Sequence, residues 1–478
     1  MSTFDEGTFM LINGSWRDGK DRLAVTAPAD GSAVGEIPWG TPQDAADAAD
    51  AAARAFPEWA DRPARYRADL LRAAADRIDE RADALARLLA AEAGKRLPEA
   101  LAEIRFSAEY FRWFAEETRR PAGSVIPHEV PGRRHLTLRR PLGVVASLTP
   151  WNFPCSIQAR KLAPALAAGC TVVARVSEKA PLAVTELIRF VQEAGLPPGV
   201  LNLVHGPAVE TTNALLDHPA VRAVSFTGST AVGAAIMARA ARRIVRPLLE
   251  LGGDAPFVVF PDADIDAAVD GAMIAKFRNT GQSCIAANRF YVHDDVYDSF
   301  VGRLVTKVDD MTVGDGLADP CPDLGPVIDD DRARAVRELV DDALAAGATL
   351  LTRPVELPSQ GSYAAPALLA GVSDGVGLAR CEVFGPAAAV FRFRDEGEVL
   401  DNCNRTELGL AAYIWSADVS RCWRMAERLE AGIVGVNNAL PSAAYAPMGG
   451  IKQSGLGREG ADLGLAEFTD VRYVALGL

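Results

Sequence analysis

Between residues 143 and 251 the chain alternates short runs rich in β-branched residues with segments long enough to form helices. A Gly-Leu-Pro-Pro-Gly break over 195–199 separates one helical segment from the next run. This alternation predicts a parallel, doubly wound sheet, a fold that often binds nucleotides where its strand order reverses. The predicted strands are Val144–Leu148, Thr171–Arg175, Val200–Val204, Ala223–Thr227 and about Arg246–Leu251.

The chain is too long, at 478 residues, for one hydrophobic core, so we expect several domains. Residues 41–118 precede the first sheet and predict helices, the first starting at Thr41-Pro42 with a cap and a proline in the first turn. A second alternation of strands and helices over about 257–440 predicts a second α/β domain. The segment from Phe468 onward predicts a closing strand.

Composition excludes several classes of protein. A net charge of −13 argues against nucleic acid as a partner, and the paired arginines within 119–140 are better explained as a solvated or subunit-facing surface. The sequence predicts neither a signal peptide nor a membrane span. Its seven cysteines and five histidines follow no disulfide or zinc spacing. We therefore expect a cytoplasmic protein with reduced cysteines and no metal.

Two short motif matches carry little weight. Gly455-Leu-Gly-Arg-Glu-Gly460 fits the dinucleotide pattern GxGxxG, but no strand precedes it and the chain ends too soon for a ribose-binding acid. Gly371-Val-Ser-Asp-Gly375 fits the nucleophile elbow of serine hydrolases. That motif needs a histidine after the serine, and every histidine here lies before Ser373.

Four other segments carry chemistry when they are taken together. A lone cysteine such as Cys284 is more often an inert core residue than a nucleophile. However, Asn152 follows one predicted strand, and Gly228-Ser229 follows another and opens a helix whose amides could hold a pyrophosphate. Glu250 ends a fifth strand beside two glycines, which permit close approach of a ligand.

Together these segments resemble the aldehyde dehydrogenase superfamily, from Leu11-Ile-Asn-Gly-Ser-Trp16 to the run that ends at Glu459. The resemblance implies an α/β fold with two doubly wound α/β domains and a small β bridging element for oligomerisation. It places the cofactor domain at 1–120 and 142–251, the catalytic domain at 252–452, and the bridging element at 121–141 and 453–478. A homodimer or homotetramer is implied as well.

The resemblance also implies a catalytic role for three residues. Cys284 corresponds to the nucleophile, which attacks an aldehyde as a thiolate. Asn152 corresponds to the carboxamide of the oxyanion hole, with the backbone amide of Cys284 as second donor. After hydride transfer the product is a thioester, and Glu250 corresponds to the general base that activates water to hydrolyse it.

Cofactor contacts are implied at further positions. Gly228 and Ser229 match the pyrophosphate contact, Glu382 the nicotinamide-ribose contact, and Trp151 and Phe384 the surroundings of the nicotinamide. On the adenosine side the family motif reads Arg175-Val-Ser-Glu178 here. A carboxylate at 178 suits a free ribose hydroxyl and favours NAD, while Arg175 leaves NADP possible.

Within the family, the stretches 107–120, 276–282 and 446–460 are similar to succinate-semialdehyde dehydrogenases. In that subfamily two arginines and a serine hold the distal carboxylate of the substrate, and Arg160, Arg278 and Ser442 stand at the matching positions. An arginine fork gives such a carboxylate a bidentate, charge-assisted contact. Met448 replaces the phenylalanine of the subfamily motif, and residues 438–446 diverge, so the position of Ser442 is the weakest match.

Three alternatives remain open. The substrate could be another carboxylated aldehyde or an aromatic one. The chain could be a thiol esterase that needs no cofactor, which would leave Gly228, Ser229 and Glu382 without a role. It could also be an inactive scaffold, although Cys284, Glu250 and Asn152 are all present.

We predict that the nucleophile has no disulfide switch. Some members of the resembled subfamily carry a second cysteine two residues later, where this chain has Ala286. Oxidant should inactivate by oxidising Cys284 itself, and thiol should restore activity only at the sulfenic stage. Peptide mapping of the oxidised protein checks this, and a disulfide from Cys284 to Cys155 or any other cysteine would refute it.

Overall fold

The helices form where apolar residues recur at helical spacing. In the first of them, Thr41 and Asp44 make a capping box: the Thr41 hydroxyl accepts from the Asp44 amide at 3.4 Å, and the Asp44 carboxylate accepts from the Thr41 amide at 2.7 Å. The computed structural model describes residues 9–478, with α-helices α1 Pro42–Asp61, α2 Ala64–Glu80, α3 Ala82–Ala93, α4 Leu97–Glu117, α5 Pro154–Ala168, α6 Leu182–Glu193, α7 Ala208–Asp217, α8 Thr230–Ala241, α9 Ile265–Phe277, α10 Tyr297–Asp309, α11 Asp330–Ala345, α12 Glu396–Asn404, α13 Val419–Arg428 and α14 Ala461–Ala466. The helices expected within 41–118 are confirmed.

The strands fall into two large sheets and three small ones. Up to residue 250 they are β1 Met10–Ile12, β2 Ser15–Arg17, β3 Asp21–Thr26, β4 Ala33–Trp39, β5 Val125–Ile126, β6 Arg133–Pro141, β7 Val144–Thr149, β8 Thr171–Val176, β9 Leu201–Val204, β10 Val221–Thr227 and β11 Arg246–Glu250. After it they are β12 Ala255–Val259, β13 Ala287–His293, β14 Thr349–Leu350, β15 Ala367–Ala370, β16 Ala387–Phe393, β17 Leu408–Gly409, β18 Ala411–Trp415, β19 Ile433–Val436, β20 Ile451–Lys452, β21 Gly455–Leu456 and β22 Thr469–Gly477.

The first large sheet has the strand order β2-β1-β9-β8-β7-β10-β11-β21. Its five central strands are the five predicted ones, and they are parallel. Strands β7 and β8 are buried along their whole length, as a sheet covered on both faces requires. The order reverses between β7 and β10, which confirms the doubly wound fold. Asn152 follows β7 and Ser229 follows β10, so both lie at this switch point.

The edges of this sheet were not predicted. Strands β1 and β2 pair antiparallel beyond β9, and the two-residue strand β21 pairs antiparallel with β11. Gly455-Leu456, in the second part of the predicted bridging element, therefore contributes to the first sheet. The domain boundaries stay a prediction.

The second large sheet has the order β14-β15-β16-β13-β12-β18-β19, with only β14 antiparallel among its described strands. Cys284 lies in the connection that leads from α9 into β13. Aromatic side chains fill the core beneath this connection, with the Phe257 and Phe290 ring centres 5.1 Å apart. The loop that carries Cys284 therefore rests on a rigid base.

The closing strand β22 is confirmed. It pairs with β6 in continuous antiparallel register from Thr469 opposite Pro141 to Gly477 opposite Arg133, and β5 completes this three-stranded sheet. Strands β3 and β4, and β17 and β20, form two smaller ribbons. Within residues 9–478, no helix has the length and apolar character needed to cross a membrane.

Candidate active site

The two large sheets meet at a cavity of about 230 Å³. It lies beyond the carboxyl ends of β7 and β10, where the nucleophile loop of the second sheet reaches the switch point of the first. Seven of the residues predicted for catalysis or cofactor binding line it: Trp151, Asn152, Gly228, Ser229, Cys284, Glu382 and Phe384. Residues from separate parts of the chain thus share one small space.

The loop before Cys284 has a strained backbone. Asn279 and Thr280 adopt left-handed conformations with φ of 52° and 55°, which side-chain-bearing residues seldom do. Gly281 follows with φ of 74°, and a Cβ at that position would lie 2.1 Å from the Gly385 carbonyl oxygen. Only glycine fits there, so the loop presses directly against the segment that carries Glu382 and Phe384.

Asparagine side chains hold this loop to the first sheet. Asn152 Nδ2 donates to the Gln282 carbonyl at 3.2 Å, and Asn279 Nδ2 donates to the same oxygen at 3.2 Å. Asn279 Nδ2 also donates to the Asn152 carbonyl at 2.9 Å. The carboxamide of Asn152 is therefore hydrogen-bonded to the backbone of Gln282, two residues before Cys284.

The surroundings of Cys284 oppose ionisation of its thiol. The thiol pKa is raised to about 12, mainly by burial and to a smaller extent by the carboxyl groups of Glu382 and Glu250. The positive charge of Arg160 lowers it. The thiol therefore carries its proton near neutral pH in this state. Attack as a thiolate requires a nearby positive charge or a base that takes the proton.

Glu250 is a second ionisable group of the site, close enough to Cys284 to raise the pKa of its thiol. Its side chain is buried, and neither carboxyl oxygen has a hydrogen-bond partner among residues 9–478. Burial, followed by the charge of Glu459, raises its pKa to about 8, while Lys161 and Arg160 act to lower it. A carboxyl group with a pKa this close to neutral can both take and release a proton.

A buried charge cluster lies behind Glu250. Lys161 Nζ donates to Glu459 Oε1 at 2.6 Å and to Ser225 Oγ at 3.0 Å, and Arg160 Nη1 lies 3.7 Å from Glu459 Oε2. We did not predict Lys161 or Glu459 from the sequence. The signal for Lys161 was available, because α5 is buried along its whole length and a lysine inside such a helix needs a charged partner.

Several groups around the cavity fit a nicotinamide cofactor. Ser229 caps α8 through a 3.4 Å hydrogen bond from the Val232 amide, which leaves the positive end of that helix at the cavity. Trp151 and Phe384 meet edge to face with ring centres 5.4 Å apart, and Phe384 has a left-handed φ of 48°. Glu382 accepts from the Gly253 amide at 3.1 Å, and burial is the main cause that raises its pKa to about 7.

Arg332 is a further residue that the sequence did not reveal. It lines the same cavity, and its Nε is buried with no hydrogen-bond partner in the part of the chain described. Its charge opposes the rise in the Glu382 pKa. It adds a positive group to a cavity whose other charged lining residue is Glu382.

Arg175 and Glu178 do not line this cavity; they lie at and just after the end of β8. Arg175 Nη2 donates to Glu178 Oε2 at 2.8 Å and to the Gly206 carbonyl at 3.0 Å. The guanidinium is thus held by groups of the protein itself, while Glu178 keeps part of its surface exposed.

The three residues predicted to bind substrate are placed in two groups. Arg160 is buried and donates to Tyr110 Oη at 2.8 Å, to Met448 Sδ at 2.6 Å and to Ser442 Oγ at 3.5 Å. The guanidinium of Arg278 lies instead over the ring of Phe153, 5.0 Å from its centre. The structure thus joins Arg160 to Ser442 and places Arg278 against the residue that follows Asn152.

The seven cysteines are all free thiols. Within residues 9–478, no three His, Cys, Asp or Glu side chains come together in a group that could hold a metal ion.

Comparison with known proteins places this arrangement in a family. The model of the aldehyde dehydrogenase family matches residues 16–474. The chain is 43% identical to the succinate-semialdehyde dehydrogenase [NADP(+)] GabD of Escherichia coli, with 98% of this chain and 97% of that protein covered. It is 42% identical to a glutarate-semialdehyde dehydrogenase of Pseudomonas aeruginosa, with the same coverage. The crystal structure of an NADP-dependent enzyme of E. coli superimposes with a TM-score of 0.97 at 43% identity, covering 99% of this chain and 98% of that one.

Proposed function

The chain belongs to the aldehyde dehydrogenase family, and from that premise we propose that it oxidises succinate semialdehyde to succinate with Cys284 as nucleophile. It is an enzyme that uses NAD or NADP as the hydride acceptor. The observation that carries the proposal is that Cys284, Asn152 and the amino end of α8 meet at one cavity. A nucleophile, an oxyanion donor and an anion-binding helix end are what this reaction needs in one place.

The first half of the reaction takes place at Cys284. The thiol first gives up its proton to solvent water, the thiolate attacks the aldehyde carbon, and the resulting alkoxide accepts hydrogen bonds from Asn152 Nδ2 and from the Cys284 amide. When bound, the oxidised nicotinamide supplies a positively charged ring and accepts the hydride. Loss of hydride from the tetrahedral thiohemiacetal leaves a thioester on Cys284.

The second half requires water activated by a base. Glu250 lies close enough to raise the Cys284 pKa, and its own pKa of about 8 suits proton transfer near neutral pH. Lys161 lowers the pKa of Glu250 and so stabilises its charged form, whereas Glu459 raises that pKa and destabilises the charged form. Hydrolysis releases the carboxylic acid and restores the thiol.

We propose that the cofactor's phosphates bind at the amino end of α8, with Glu382 at the nicotinamide ribose and Phe384 and Trp151 beside the ring. Arg332 would add a positive contact in the same cavity. NAD is the preferred form in this proposal, because the Glu178 carboxylate would repel a 2′-phosphate and Arg175 is already held by Glu178 and Gly206.

The substrate assignment rests on an anion at the far end of the aldehyde. Both relatives named above act on semialdehydes of dicarboxylic acids. Arg160 and Ser442 provide a guanidinium beside a hydroxyl. Arg278 provides a second guanidinium, which lies over the ring of Phe153, the residue that follows Asn152. A neutral aldehyde would have no distal group to accept from these two guanidinium groups and the hydroxyl.

We further propose a cytoplasmic homodimer or homotetramer. Seven free thiols favour a reducing compartment. The three-stranded sheet exposes the apolar side chains of Val125, Leu138, Val471 and Tyr473, a surface suited to burial against another subunit.

Formation of reduced cofactor on addition of aldehyde tests the proposal directly. Succinate semialdehyde should give stoichiometric reduced cofactor and succinate, and an uncharged aldehyde of equal length should react far more slowly. Thioester hydrolysis without any cofactor would favour the thiol esterase instead. Absence of both reactions would leave an inactive scaffold.

We predict that Glu250→Gln separates the two halves of the reaction. The thioester should form and then hydrolyse slowly, giving a burst of reduced cofactor followed by a slow phase. In the unchanged enzyme, the base form of Glu250 is present above pH 8 and is lost as the pH falls through that value. The hydrolysis rate should therefore rise with pH through about 8. An unchanged steady rate in the variant, or a flat profile, would assign the base elsewhere.

Removing Arg278 should affect only substrates with a distal anion. Hydrogen bonds to charged groups contribute roughly 1.5–3 kcal/mol, so Arg278→Ala should lower kcat/KM for succinate semialdehyde on the order of 10- to 100-fold. The neutral aldehyde serves as the control and should react at an unchanged rate.

Arg160→Ala provides a contrast, because Arg160 also lies beside Glu459 and its positive charge lowers the pKa of Glu250. It should lower the rate for both substrates, and for the acid more strongly. Equal losses on both substrates in Arg278→Ala, or a wild type that prefers the neutral aldehyde, would contradict the semialdehyde assignment.

A further inference from the structure

We propose that Lys95 and Glu103 form a positioning pair that sets the place of Asn152 relative to Cys284. The inference rests on the oxyanion role proposed for Asn152 and names two residues that act through it. Neither lines the cavity around Cys284, and neither belongs to a motif that pointed to catalysis.

Lys95 holds the backbone of Asn152. Its Nζ donates to the Asn152 carbonyl oxygen at 2.8 Å and to the carboxylate of Glu103. The same ammonium lies 4.4 Å from the ring centre of Phe153, the next residue along the chain. These three contacts fix a charged group against the turn that follows β7.

Glu103 holds the helix that begins after this turn. Its Oε1 accepts from the amides of Cys155 at 3.0 Å and Ser156 at 3.2 Å, in the first turn of α5. Phe153, at the N-cap position of α5, makes no side-chain capping bond. A carboxylate from α4 therefore satisfies the free amides and complements the positive helix end.

The effect reaches the nucleophile through shared carbonyl oxygens. The Asn152 carbonyl accepts from both Lys95 and Asn279, while the side chains of Asn152 and Asn279 both donate to the Gln282 carbonyl. Gln282 lies two residues before Cys284. A shift of the Asn152 backbone would thus move its carboxamide away from the place where an oxyanion forms.

The pair is suited to a test because it can be removed as a unit. Its side chains are 1% and 2% exposed. Desolvation largely offsets the attraction within buried ion pairs, so replacing both partners by apolar residues is often neutral for stability. Lys95→Met combined with Glu103→Leu should fold and yet lack the contacts to Asn152 and α5.

The experiment is a double-mutant cycle in the full-length enzyme, measured as the single-turnover rate of hydride transfer with NAD and succinate semialdehyde. Asn152→Ala alone should slow this step roughly 10²- to 10³-fold. The Lys95→Met/Glu103→Leu variant should slow it about 10-fold or more, because a small misplacement of an oxyanion donor is costly. Dissociation constants for NAD should stay unchanged.

The decisive measurement is the hydride-transfer rate of the variant that combines all three substitutions. If the pair acts through Asn152, the triple variant should be no slower than Asn152→Ala, whereas independent structural damage would multiply the two losses. Glu103→Gln serves as a milder second variant. It keeps an acceptor for α5 and weakens the hold on Lys95, so it should give a smaller loss with the same non-additivity.

Glu92→Gln is the matched control. Glu92 is also buried and caps another helix, α6, by accepting from Leu182 at 2.7 Å and Ala183 at 2.8 Å. It has no hydrogen bond to Asn152, so hydride transfer should keep its rate. Wild-type hydride transfer in both pair variants, or multiplied losses in the triple variant, would overturn the positioning role alone. A wild-type rate in Asn152→Ala would overturn the oxyanion role itself, and the pair's role with it.

Discussion

The thiol of Cys284 lies close to the carboxyl groups of Glu250 and Glu382, and most features of the site depend on that arrangement. Glu250 and Glu382 are both needed near the sulfur for the proposed chemistry, yet their charges, together with burial, raise the thiol pKa to about 12. The same burial raises the pKa values of the two carboxyl groups to about 8 and about 7. The surroundings of these three groups therefore disfavour every negative charge that the reaction has to create.

Positive groups around the cavity offset this. Arg160 acts on both Cys284 and Glu250, Lys161 acts on Glu250, and Arg332 acts on Glu382. Amides add to them: the amino end of α8 and the backbone of Cys284 point donors into the same space. Because such fixed donors are worth more in a site that excludes water, the reaction gains most where its negative charge develops.

Sequence and structure agree best where the pattern is local and repeated. The five parallel strands from Val144 to Glu250, the capped helix at Thr41 and the closing strand β22 all have clear periodicity or turn signals. Strand β21 has two residues, too few for any alternation, and its pairing with β11 joins positions about 200 residues apart. The ion pairs of Lys161 with Glu459 and of Lys95 with Glu103 were missed for the same reason. A buried charge is visible in a sequence only as a polar residue within an apolar helix, and its partner is set by tertiary contact.

The central claim is that a thioester forms on Cys284 and that Glu250 removes it. Peptide mapping of the Glu250→Gln variant tests this, after the enzyme has been mixed with NAD and succinate semialdehyde and quenched in acid. We predict a succinyl group on the peptide that contains Cys284, in an amount equal to the burst of reduced cofactor, and none in Cys284→Ala. Reduced cofactor without an acylated Cys284 peptide, or an acyl group on another residue, would contradict the account.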